Sequence, residues 1–222
     1  DAVSGITPGG ITPGGITSRG AISGNGLSVA GARAGSGVAK RLLQPPVIAF
    51  LVCALLMQMS HGVYYGFYTV YLDAQGYSSA SIGGLWALGV VSEIALFLVM
   101  DRVLKRYPLK ALAVACFILT GARWLLLAYL ASSPGAVVFA QLLHAVSYGA
   151  FHAISMLLIG RYFSDMQGRG QAIYAAFSFG LGGILGNLSA GYVWSWAGPS
   201  AAFVLAAVVS FVAGIIAARW VR

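Results

Sequence analysis

The chain has 222 residues, 59% of them hydrophobic and only 8% charged. Soluble domains carry about 25% charge, so a water-soluble globular enzyme and a wholly disordered chain are both excluded. The formal net charge of +8 invites a nucleic-acid reading, but the basic residues stand between long apolar stretches, as the topology rule for membrane proteins requires. Cys53 and Cys116 both fall inside apolar stretches and form no CxxC motif.

Residues 1–40 come first and differ from the rest. They hold 11 of the 30 glycines and a short Gly-Ile-Thr-Pro-Gly repeat between Gly5 and Gly15. Aromatics are absent, and such a segment buries too little surface to offset its ordering entropy. It reads as a flexible Gly-rich cytoplasmic tail or linker. A phosphate-cradling loop is disfavoured, because no Lys-Ser/Thr ending follows the glycines.

Residues 41–222 read as an all-α, six-helix transmembrane domain. Six apolar runs follow at about 46–72, 81–100, 109–130, 135–160, 170–195 and 199–218. Each approaches or exceeds the roughly 20 residues that cross a bilayer as a helix. Backbone groups in lipid must bond within their own segment, so these runs are helices. Pro45, Pro46, Pro108, Pro134 and Pro199 all lie at run boundaries and none inside one. Twelve of the thirteen basic residues fall on one side of this arrangement. That side is expected to be the cytoplasm, with both termini inside and the chain in a bacterial inner membrane.

Arg123 is the thirteenth basic residue, inside the third run, and Glu93 lies inside the second. A charge at membrane depth costs about 2.5–3.5 kcal/mol on insertion scales. Two of opposite sign are expected to face the bundle interior as a pair, either as structural glue or as functional groups. At 1.5 Å per residue, Glu93, Arg123 and His144 lie roughly 18, 10 and 14 Å from the outer ends of their runs, and His61 sits at a similar depth. An imidazole there is either an interhelical hydrogen-bonding group or a proton relay. For His152, deeper toward the cytoplasm, the structural role is favoured. Gln141, Tyr65 and Tyr148 sit at the same level and are candidates for lining a ligand cavity. Tyr71, Tyr77 and Trp196 fit an interfacial belt or outer packing. His144 and His152 are eight apart, so no metal site is expected. Motifs for a nucleophile or a cofactor loop are absent, and neither an enzyme nor a cofactor is expected. In the fifth run Gly182 and Gly186 form a GxxxG pair, a mark of close helix packing.

Three stretches, Ser60-His-Gly-Val-Tyr-Tyr-Gly-Phe-Tyr68, Leu85-Trp-Ala-Leu-Gly-Val-Val-Ser-Glu93 and Leu143-His-Ala-Val-Ser-Tyr-Gly-Ala-Phe-His152, together with Gly121-Ala-Arg-Trp-Leu125, carry a family likeness. Over residues 41–222 the sequence resembles the C-terminal six-helix half of a major facilitator superfamily transporter. More narrowly, it resembles the phenylpropionate-permease-type branch, related to lactose permease. The resemblance implies a twelve-helix carrier whose N-terminal six-helix half is missing from this chain, which is then a fragment, a partial gene product or one half awaiting a partner. It implies secondary transport of a small organic solute by proton-coupled symport, with an aromatic carboxylate among the candidate solutes. By the same resemblance Glu93, Arg123 and His144 match the coupling residues of the eighth, ninth and tenth helices. Ser147 stands where a second carboxylate would be. A non-transporting membrane scaffold, or an inactive transporter fragment, is the alternative.

Overall fold

The structure is a computed structural model and describes residues 38–220; the glycine-rich repeat lies outside the described residues. Among the described residues six helices are long and apolar enough to cross a membrane: α1 (Pro45–Ala74), α2 (Ser79–Arg106), α3 (Leu109–Leu130), α4 (Pro134–Tyr162), α5 (Gln167–Ala197) and α6 (Pro199–Trp220). No strand occurs among the described residues.

The boundaries follow local chemistry. Prolines open α1 and α4 at their first turn, where a missing N–H costs nothing. Pro108 is the N-cap of α3, and Ser78 caps α2 by accepting the Ser81 N–H. Gly76 and Gly198 take φ of 87° and 88° in the turns after α1 and α5, a conformation that disfavours side chains. The helices outrun the apolar stretches. Thus α2 continues to Arg106, past the expected end near residue 100, carrying Asp101 and Lys105 as an exposed i,i+4 pair.

Two apolar clusters occupy the two ends of the bundle. At the basic end, Phe50 and Met57 of α1 pack with Phe117 of α3 and with Phe151, Ile154 and Leu158 of α4. At the opposite end, Tyr64, Tyr68 and Leu72 pack with Trp124, Leu127, Val137 and Phe203. Between them lies a buried polar layer of Ser60, His61, Thr120, Arg123, Gln141, His144 and Ser147.

Helix α1 is held at the centre by small residues on its neighbours. A Cβ on Gly62 would stand 2.2 Å from the Gly186 backbone, and one on Gly186 would stand 2.5 Å from the Met59 carbonyl. Gly182 meets the Leu55 carbonyl in the same way. The GxxxG pair of α5 therefore lies backbone against backbone on α1, which requires glycine on both helices. The outer aromatics divide. Tyr71 is buried and donates to the Leu127 carbonyl at 2.9 Å, and Tyr77 donates to Ala131. Trp196 remains 79% exposed.

Two helices change pitch. α4 passes through a π-helical segment at Ala145–Ala150, and α5 through another at Ala176–Gly182. Such insertions widen the turn by one residue and redirect the side chains that follow. Uninterrupted apolar composition gives no sign of them.

Candidate functional site: a buried polar layer at mid-bundle

Arg123 is fully buried, on the face of α3 that turns toward α1 and α4. Its guanidinium donates to Gln141 Oε1 at 3.1 Å and to Ser147 Oγ at 3.2 Å. It also lies 4.3 Å from the Tyr64 ring centroid and 4.4 Å from that of Trp124. Aromatic faces attract a cation and are lightly hydrated, so this box compensates part of the desolvation cost. Arg123 Nε has no hydrogen-bond partner.

Gln141 fixes this arrangement. It accepts from Arg123 and donates to both Tyr64 Oη (3.1 Å) and the Leu85 carbonyl (2.8 Å). One amide thus joins α1, α2, α3 and α4. Ser147 accepts from Arg123 and donates to the His144 carbonyl at 3.2 Å. Ser147, which stands where the resemblance implies a second carboxylate, is therefore a hydrogen-bond partner of the arginine.

The expected Glu93–Arg123 pair is not formed. Glu93 Oε1 instead meets His144 Nε2 at 2.6 Å. The geometry of α4 explains the difference. His144 immediately precedes the π-segment, and Gly149 within it packs on α2, where a Cβ would make ordinary contact at 3.4 Å from Glu93 Cγ. Gly89 leaves space beside His144, since a Cβ there would crowd Cδ2 at 3.3 Å. Arg123 and Glu93 remain within electrostatic reach, with no carboxylate touching the guanidinium.

His61 is fully buried, and its Nδ1 donates to the Met57 carbonyl at 2.8 Å. That leaves Nε2 as the acceptor, without a partner. Its ring meets Trp124 edge-on at 4.9 Å and lies about 6 Å from Tyr65, His144 and Tyr148. His144 stacks on Tyr148 at 5.5 Å with the planes 9° apart, and its Nδ1 is also unpartnered. Buried polar atoms are normally satisfied. Of the six unpartnered buried side-chain atoms among the described residues, three, on Arg123, His61 and His144, gather in this layer.

The layer has a covered side and an open one. Arg123, Gln141 and His61 are wholly buried, whereas the Glu93 side chain is 17% exposed and Tyr65 is 42% exposed. Tyr65 stacks with Trp86 at 6.3 Å and meets Tyr148 edge-on at 6.3 Å. The open side is thus an aromatic rim with one carboxylate, and the arginine lies one layer behind it. Trp86 and Tyr64 are the contributions that residue-by-residue reading undervalued. For Tyr64 the signal was the aromatic spacing of Tyr64, Tyr68 and Tyr71 on one face of α1; Trp86 on α2 carried no such pattern. Among the described residues, no group of three His, Cys, Asp or Glu side chains could hold a metal.

A family model described as the MFS_1 like family matches residues 14–205. The probable 3-phenylpropionic acid transporter of Escherichia coli (strain K12) is 31% identical over 163 residues, which cover 72% of this chain and 42% of that protein. The chain therefore aligns with less than half the length of this relative. No solved structure matches. With its six apolar helices among the described residues, its intramembrane charges and this family match, the chain belongs to the MFS_1 like family of major facilitator transporters.

Proposed function

We propose that the chain is the C-terminal six-helix half of a twelve-helix carrier that moves a small aromatic carboxylate together with a proton. The observation that carries the reading is the buried Arg123, which no carboxylate touches, beside a Glu93 already engaged by His144. A buried cation in low dielectric attracts an anion far more strongly than a surface one does. Glu93 is the only carboxylate within a span away from the ends, so its charge offsets that of Arg123 across the layer. Protonation of Glu93 neutralises that charge and weakens its contact with His144. The layer then carries one uncompensated positive charge, and a solute carboxylate restores the balance. Proton and anion thus favour each other's binding by linkage.

The aromatic rim of Tyr65, Trp86 and Tyr148 suits the ring of such a solute, since stacking geometry favours offset or edge-on partners. His61 Nε2 and His144 Nδ1 supply acceptors for a donor or for water near the carboxyl group. The missing N-terminal half would close the open side, which fits the midplane site of carriers built from repeats. The clustering of basic residues at one end supports cytoplasmic termini in an inner membrane. The glycine-rich 1–40 stretch fits the linker that would join the two halves.

The test is proton-gradient-driven uptake in proteoliposomes. This chain alone would be compared with the chain joined to a matching N-terminal half, using 3-phenylpropionate, a sugar and a nucleoside. Uptake of 3-phenylpropionate by the joined form, driven by an inward proton gradient, is the expected result. A folded joined form that moves none of the three would contradict the proposal.

A further inference from the structure

A second titratable cluster lies on the basic-end side of Glu93, and the mechanism above does not use it. His152 is one turn beyond Gly149, the residue whose bare backbone faces Glu93 Cγ. His152 and Glu93 lie within electrostatic reach of each other. On its far side, His152 Nδ1 is 3.5 Å from Tyr174 Oη of α5, and the two rings are 6.1 Å apart. Beside them is a cavity of about 10 Å³ whose walls combine Gln58, Tyr148, His152, Tyr174 and Ser178 with the apolar Met57, Phe151 and Phe179. That volume holds about one water molecule, with His152, Tyr174 and Ser178 as polar neighbours. Tyr174 is buried, seven residues into α5 from its basic end. At 1.5 Å per residue it lies roughly 10 Å from that end.

We propose that His152, with Tyr174, forms the exit route by which the proton carried on Glu93 leaves toward the basic face. The inference rests on the symport reading and deepens it. In the transfer, the Glu93 carboxyl O–H bond breaks and an N–H bond forms on His152, leaving a carboxylate and an imidazolium. The imidazolium then gives a proton to water on the basic side and returns to its neutral form, so charge and atoms balance. The Tyr174 hydroxyl and the cavity orient the ring and extend the chain of hydrogen bonds. Glu93 from α2, Tyr174 from α5 and Tyr148 from the same helix are the titratable groups that face His152. α1 faces it with Met57 and Gln58, which do not ionise, and α3 presents Phe117 to the adjoining Phe151. His144 and His152 stand eight residues apart on α4, one before and one after the π-segment. The Glu93–His144 contact then holds the proton, and His152 lets it go.

The experiment uses the joined twelve-helix form in proteoliposomes with radiolabelled 3-phenylpropionate. Two rates are measured: net uptake driven by a proton gradient, and counterflow exchange at equal pH, which requires no net proton release. For His152→Gln, net uptake should fall about a hundredfold, the lower end of what general acid–base groups contribute, while counterflow stays within about twofold. Added imidazole should restore part of the net rate. Tyr174→Phe, which keeps the ring, should lower net uptake by about threefold, again sparing counterflow. Unchanged net uptake in His152→Gln would overturn the proposal, and so would an equal loss of both rates. If the unsubstituted carrier exchanges solute but shows no proton-driven uptake, the symport reading fails and takes this inference with it.

Discussion

Helices α1 and α2 are both apolar enough to span a membrane, yet α1 buries 67% of its most apolar window inside the bundle and α2 only 17%. α5 resembles α2, at 22%. Apolar composition therefore does not distinguish a core helix from one that faces lipid or an absent neighbour. The distinction lies in what each helix sets against the polar layer. α1 supplies the closed wall, with His61 and Tyr64 wholly buried and glycines pressed on α5. α2 supplies the open wall, with Glu93 and Trp86 partly accessible. The arginine belongs to the first environment and the glutamate to the second, which is why they are not direct partners.

The largest expected effect separates the two walls directly. Gly62→Leu places side-chain atoms where the Gly186 backbone stands. It should destabilise the bundle by more than about 3 kcal/mol or abolish folded protein, beyond ordinary overpacking. Gly84→Ala on α2, where a Cβ meets nothing within 4 Å, should be neutral or stabilising by up to about 1 kcal/mol. Thermal melts of detergent-solubilised protein would compare them, and equal losses would break the contrast. Next comes Arg123→Met, which strips Gln141 and Ser147 of their charged partner. Uptake should fall more than about a hundredfold, equivalent to roughly 2.7 kcal/mol. Arg123→Lys should rescue little, because one ammonium reproduces neither the two-pronged contact nor the stacking. Glu93→Gln should leave counterflow within about threefold while removing most of the proton-driven component, because the amide keeps a hydrogen-bonding group without the titration. The smallest effect is expected at the rim. Tyr65→Ala should raise KM by about fivefold and leave kcat nearly unchanged, the loss of one stacking partner.

Much of the fold was legible because lipid leaves few choices. Apolar length, the five prolines at run ends and Gly198 located all six helices to within a few residues. At α2, helix propensity and capping carried the helix past the lipid boundary. The membership of the polar layer was legible as well, since Glu93, Arg123, His61 and His144 are costly residues at one depth. Their pairing was not. Depth gives the level of a side chain but not its direction around the helix, so it could not show that His144, rather than Arg123, meets Glu93. Nor does spacing show that a glutamine would hold the arginine, because Gln141 acts through three partners on three other helices. Tyr174 carried no signal, since its role depends on the register of α5 against α4.

The most direct test is calorimetric titration of 3-phenylpropionate into the purified joined carrier, in two buffers of different ionisation enthalpy at the same pH. The difference in heats reports the protons taken up on binding. The account predicts uptake of about one proton per solute by the unsubstituted carrier and close to none by Glu93→Gln, because that carboxylate links the two ligands. Binding without proton uptake, or equal uptake in both proteins, would contradict it.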